Sequence, residues 1–138
     1  MPKCIEAVLF DMDGLMFDTE RLSDIVWEQV GTAHGYAIGA QEMALMRGTN
    51  REEGKRAMLE HMGEDFPFDI LHEEAHALMR EHLKDSVPLR PGLNELLGFL
   101  RQHGVLMAVA SSTAQALVEE YLERAGVRHF FKAVVCGD

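Results

Sequence analysis

Two aspartates separated by one residue, Asp11 and Asp13, follow the apolar run Ala7-Val8-Leu9-Phe10 and precede Gly14. Two carboxylates so close on a turn can serve one reaction centre, one as nucleophile and the other as proton donor and acceptor. Their hard oxygens also suit magnesium. The same spacing fits an acidic turn that only solvates a strand end, since turns favour both aspartate and glycine. A second polar group, Ser111-Ser112-Thr113, again follows an apolar run, residues 105–110. Hydroxyls there, backed by the amides of a helix N-terminus, can cradle a phosphate. They serve equally as ordinary helix caps. A third group, His72-Glu73-Glu74-Ala75-His76, fits the H-E-x-x-H pattern of zinc peptidases, with Glu73 as base. Glu95 is the nearby candidate for a third ligand. Ala75, Leu78 and Met79 read as a buried stripe flanked by the two histidines, so a solvated helix face competes with the metal reading.

The elements that must position these groups follow from hydrophobic spacing. The runs before Asp11 and Ser111 read as strands buried on both faces, as in a parallel sheet, and residues 133–135 form a third. Ligands of open α/β sheets sit beyond the carboxyl ends of such strands. Between Asp18 and about Asp85 the pattern is helical. Leu22, Ile25, Val26 and Val30 share a face, with Asp18 or Thr19 as the cap. Met43, Leu45 and Met46 mark a second helix that stops at Gly48, and Asn50 with Glu53 opens a third as a capping box. Asp69 caps a fourth, with Leu71, Ala75, Leu78, Met79 and Leu83 on its buried side. Pro91 suits the first turn of the next helix, whose stripe is Leu93, Leu96, Leu97 and Leu100. A last helix runs through Ala125 to a stop at Gly126.

Phe10-Asp11-Met12-Asp13-Gly14-Leu15-Met16-Phe17-Asp18-Thr19-Glu20 resembles the first motif of the haloacid dehalogenase-like phosphohydrolases. Pro88-Leu89-Arg90-Pro91-Gly92, a leucine helix, a strand and Ser111-Ser112-Thr113 resemble the cap return and second motif of the same family. The resemblance implies an α/β, Rossmann-like parallel sheet core at 1–17 and 89–138, with an inserted helical cap at 18–88. It implies that Asp11 attacks phosphorus and forms an aspartyl-phosphate, and that Asp13 acts as acid and base. It makes both aspartates ligands of Mg2+, Asp13 through its main-chain carbonyl. Met12, Ser111 and Ser112 would bind the phosphoryl oxygens. Met46-Arg47-Gly48-Thr49-Asn50-Arg51 is similar to a substrate-facing loop of the β-phosphoglucomutase branch, which makes Gly48 and Arg51 substrate-binding candidates of the cap, beside Glu20 at the end of the first motif. That branch carries a histidine where this chain has Ser23 and a lysine where it has Ala114. The implied reaction is therefore hydrolysis of a small phosphorylated metabolite, with the phosphosugar mutase as the alternative.

Composition narrows the field further. The chain has 138 residues, 47% of them hydrophobic, and a net charge of −10. That size supports one core, and that charge argues against nucleic-acid binding through phosphates. No apolar run approaches the ~20 residues of a membrane span. The start of the chain lacks a signal-peptide core. Cys4 and Cys136 form no C-x-x-C pair and read as buried free thiols of a cytoplasmic protein. The family's third and fourth motifs, a lysine and an acidic pair, lie beyond the third strand. The expectation is thus a first part of a longer enzyme, inactive by itself, self-associating through the uncovered edge at residues 5–10.

Overall fold

The computed structural model describes residues 3–137. Expectations that touch Met1, Pro2 and Asp138 lie outside them. The three apolar runs form a parallel sheet of β1 (Ala7–Asp11), β2 (Leu106–Ala110) and β3 (Ala133–Val135), in that spatial order. The register pairs Phe10 with Val109 and Asp11 with Ala110, and then Ala110 with Val135. Successive side chains alternate between faces. Phe10, Met107 and Val109 are buried on one face, where the Phe10 ring meets Phe131 edge-on at 5.8 Å.

The opposite face departs from the expectation of strands buried on both sides. Leu9 is 71% exposed and Leu106 52% exposed. Among the described residues no helix covers that face. Cys4, just ahead of β1, is exposed as well and Cys136 is half-buried, so neither takes the core position expected of it.

The described residues divide into two units. One contains those up to Thr19 together with those from Leu83 onward; the other is Glu20–His82. In the first, α5 (Leu93–Gln102) buries Leu93 and Leu97, and α6 (Gln115–Arg124) buries Val118, Tyr121 and Leu122. Burial of each such side chain contributes about 1.5–3 kcal/mol. Pro91 precedes the helix instead of opening it, because Gly92 occupies the N-cap with φ of 86°. The chain leaves and re-enters this unit along one short pairing. Phe17 bridges Leu89, the Asp18 amide donates to the Pro88 carbonyl at 2.9 Å, and the Arg90 amide donates to Met16 at 2.8 Å.

The second unit is helical: α1 (Thr19–Ala33) apart from Thr19, α2 (Ala40–Met46), α3 (Arg51–Met62) and α4 (Phe68–Leu83) apart from Leu83. Val26, Trp27, Val30, Met43, Met58, Phe68 and Leu71 belong to its core. Asn50 caps α3 as its sequence indicates: its Oδ1 accepts from the Glu53 amide at 2.9 Å, and Glu53 accepts from the Asn50 amide at 3.2 Å. Asp69 does not cap α4. The helix starts one residue earlier, and the Asp69 carboxylate is engaged by Arg51 and Lys55.

Candidate active site

The turn after β1 is built by its own backbone. The Met12 carbonyl accepts from the Met16 and Phe17 amides, and the Gly14 amide donates to Phe17 at 3.0 Å. Gly14 has φ of 77°, a conformation that a side chain disfavours. Met12 is fully buried, so its side chain offers no contact to a ligand. Arg90 ties the turn to the returning chain. Its Nε donates to the Gly14 carbonyl at 2.9 Å, and its Nη2 lies 3.7 Å from Asp18.

Asp11 closes β1 with an exposed side chain, one residue from the buried Met12. Asp13 is half-buried and held on both oxygens. The Thr19 hydroxyl donates to one at 3.0 Å, and the Thr113 hydroxyl donates to the other at 2.9 Å. Thr19 is only 5% exposed. It therefore does not cap α1 as its position suggests: it is the first residue of that helix, and its hydroxyl is spent on Asp13.

Ser111 follows β2 and its amide donates to the Val135 carbonyl at 2.9 Å, continuing the ladder to β3. Its side-chain oxygen accepts from the Thr113 amide at 3.1 Å, a tight hydroxyl turn. The Ser111 O–H can still donate. Ser112 is exposed, and a Cβ placed on Gly137 would lie 2.6 Å from the Ser112 carbonyl oxygen. Gly137 thus lets the segment after β3 pass against the loop after β2. The sheet brings these loops together because neighbouring parallel strands end at the same edge.

Asp11 and Asp13 are the groups here whose oxygens suit a hard cation. No set of three or more histidines, cysteines or carboxylates able to hold a metal ion occurs among the described residues. The donor chemistry still fits magnesium, which takes one or two carboxylates and completes its shell with waters and substrate phosphate.

The remaining candidates belong to the helical unit. Glu20 and Gly48 are exposed, and Arg51 donates to Asp69 at 2.8 Å. His72 and His76 stack at 4.1 Å between ring centroids. The solvated-face reading suits His76 but not His72, which is half-buried and packs against Phe68 at 5.4 Å and Trp27 at 6.2 Å. Burial first, then repulsion from His76 and Arg51, lowers its pKa to about 4. Neither histidine has the third ligand that a zinc site needs among the described residues.

Thr19 entered the sequence reading as a helix cap within the first motif, Thr113 as one hydroxyl of a phosphate cradle or cap, and Arg90 as a member of the cap-return motif; Gly137 had no place in it. Thr113 was the most accessible of them: it sits in a hydroxyl run at the end of a strand predicted to lie parallel to β1.

Residues 8–138 match the haloacid dehalogenase-like hydrolase family. The chain is 31% identical over 139 residues to the phosphorylated carbohydrates phosphatase of Thermotoga maritima, covering 97% of this chain and 62% of that protein. It is 31% identical over 133 residues to the fructose-1-phosphate phosphatase of Escherichia coli, covering 96% and 69%. It thus spans less than two thirds of the length of the first of these relatives. Among solved structures, CbbY of Rhodobacter sphaeroides in complex with xylulose-(1,5)bisphosphate superposes with a TM-score of 0.74 at 25% identity, covering 98% and 64%. The β-phosphoglucomutase of Clostridium difficile shares the fold, with a TM-score of 0.77 at 20% identity over 97% and 62%.

Proposed function

The chain belongs to the haloacid dehalogenase-like hydrolases, and on that premise we propose that it carries the nucleophile and acid/base of a magnesium-dependent phosphatase acting on a small phosphorylated metabolite of the sugar-phosphate class. The observation that carries this reading is the pair of carboxylates at one strand end. Asp11 is exposed there, and Asp13 is fixed beside it by two hydroxyls, one of them from the Ser111-Ser112-Thr113 loop. Two curated relatives named as phosphatases of phosphorylated sugars support the substrate class.

In the proposed reaction an Asp11 carboxylate oxygen attacks phosphorus. The bond from phosphorus to the leaving oxygen breaks, and Asp13 gives that oxygen a proton. Asp13 then takes a proton from water as the water oxygen attacks the aspartyl-phosphate, which releases inorganic phosphate and restores Asp11. The Ser111 hydroxyl and the main-chain amides at Met12 and Ser112 are the donors proposed for the phosphoryl oxygens. Magnesium, held by the Asp11 carboxylate and the Asp13 carbonyl, would supply charge neutralisation for the phosphoryl group. Residues 1–17 and 89–138 are assigned to this chemistry. Residues 18–88 are assigned to substrate choice, through Glu20, Gly48 and Arg51. Arg51 would exchange its Asp69 partner for a second phosphate, a geometry its planar fork favours. Ser23 and Ala114, in place of the mutase branch's histidine and lysine, favour transfer to water.

Asp11→Asn in the complete gene product tests the proposal. Magnesium-dependent hydrolysis of an aryl phosphate should fall at least ~1000-fold with the fold intact. Activity within a few-fold of wild type would refute the assignment.

A further inference from the structure

We propose that Thr113 is a positioning residue for Asp13, fixing the acid/base carboxyl from the far loop of the site; this rests on the phosphatase reading above. The Thr113 hydroxyl reaches Asp13 across a separation of 100 residues in the chain, at 2.9 Å. It gets there because β1 and β2 pair in register to their last residues, Asp11 with Ala110, so the two following loops face each other. Ser111 then orients Thr113 by accepting its main-chain amide at 3.1 Å. One short loop therefore does two jobs. Its first hydroxyl turns the backbone and keeps a donor for the phosphoryl group, and its third holds the neighbouring acid/base. Thr19 holds the other Asp13 oxygen at 3.0 Å, from a buried position.

With both oxygens occupied, the plane of the Asp13 carboxyl is fixed. A carboxyl that must deliver a proton to one oxygen and later take one from water gains from such a fixed aim. Hydroxyls suit the task because they both donate and accept, so Asp13 can change protonation state and keep its partners. A main-chain N–H or an ammonium in the same place could only donate. Thr113 is half-buried and valine has nearly its shape, so replacing the hydroxyl by a methyl group changes little besides the hydrogen bond.

The test compares wild type, Thr113→Val, Thr113→Ala and Thr113→Ser in the complete gene product with an aryl phosphate, and records the 13C carboxyl resonance of Asp13. Thr113→Val should lower kcat about tenfold with KM nearly unchanged, since the lost contact orients the acid/base and does not bind substrate. Thr113→Ser should restore kcat to within about threefold, because it keeps the hydroxyl. The Asp13 resonance should move in Thr113→Val and return in Thr113→Ser. Should Thr113→Val fail to fold, Thr113→Ala takes its place with the same expectations. A wild-type kcat in the variant lacking the hydroxyl overturns the proposal, and so does a loss that falls on KM or that serine does not restore. If wild type itself hydrolyses nothing, the phosphatase reading fails separately. The resonance then decides the contact: unmoved by removal of the hydroxyl it overturns the proposal, and moved with return in serine it supports it.

Discussion

Asp13 and Asp69 are both held on both oxygens, and the partners could hardly differ more. Asp13 accepts from two neutral hydroxyls, Thr19 and Thr113. Asp69 accepts from two cations, Arg51 and Lys55. The Lys55 hydrogen bond, with the charge of Lys55 and Arg51 behind it, holds the Asp69 carboxyl below its ordinary pKa. A guanidinium or ammonium has no lone pair to offer a protonated acid, so Asp69 is committed to its ionised form. Hydroxyls impose a direction without that commitment. Under the proposed function, the carboxyl that exchanges protons is the one given hydroxyls, and the one given cations serves as a counter-ion.

The largest effect that would break this contrast comes from neutralising each acid in turn. Asp13→Asn should lower aryl phosphate turnover by about 100- to 10,000-fold, the range of a lost general acid and base. Asp69→Asn should leave turnover of the same substrate within about threefold, since exposed ion pairs contribute little. Equal losses in the two variants would show that the difference in partners has no functional meaning.

A second contrast lies between the faces of the sheet. Phe10, Met107 and Val109 are buried on one, whereas Leu9 and Leu106 stand exposed on the other, with Ile5 just ahead of β1 also 71% exposed. The face is bounded by β1, the edge of the sheet among the described residues. Contiguous exposed apolar surface beside an open edge favours association. The 138-residue chain is expected to exceed its monomer mass in light scattering at micromolar concentration, and Leu9→Lys should lower that mass towards 15.5 kDa. A monomeric wild-type chain would remove the prediction.

The smallest effect concerns His72. Its pKa is lowered from the ordinary 6.5 to about 4, chiefly by burial, and burial also lowers that of His76. Between those values the unfolded chain binds a proton that folded His72 declines. Stability therefore rises with pH across that window: the contribution is complete above about 6.5 and is lost as pH falls towards 4. In His72→Leu the unfolding midpoint should depend less steeply on pH over this interval. An unchanged dependence would show that the burial of His72 contributes nothing to it.

The helices were legible in the sequence because their stripes recur at helical spacing, and the Asn50–Glu53 box because both halves are local. Asp11, Asp13 and Ser111 could be singled out because each follows an apolar run, a signal that survives without coordinates. The face left open by Leu9 and Leu106 could not be read that way, since two-sided burial depends on what packs above a strand. Thr19 shows a second kind of miss. A threonine at the head of a helix reads as a cap, and only the bend at Gly14 turns its hydroxyl towards Asp13. The contact of Thr113 with Asp13 was hidden by sequence distance, which the parallel pairing of β1 and β2 removes. His72 was misplaced because the Trp27 and Phe68 rings that cover it come from other turns of the helical unit.

The central claim is that Asp11 itself takes the phosphoryl group, and the direct measurement is to catch it there. The complete gene product is mixed with a sugar phosphate and magnesium, quenched in acid within the first turnover, reduced with borohydride and digested for mass spectrometry. Reduction should convert the side chain at position 11 alone to the alcohol of a former acyl phosphate, and Asp11→Asn should show none. Turnover with no modified residue, or with the mark on Asp13 or another side chain, would contradict the account.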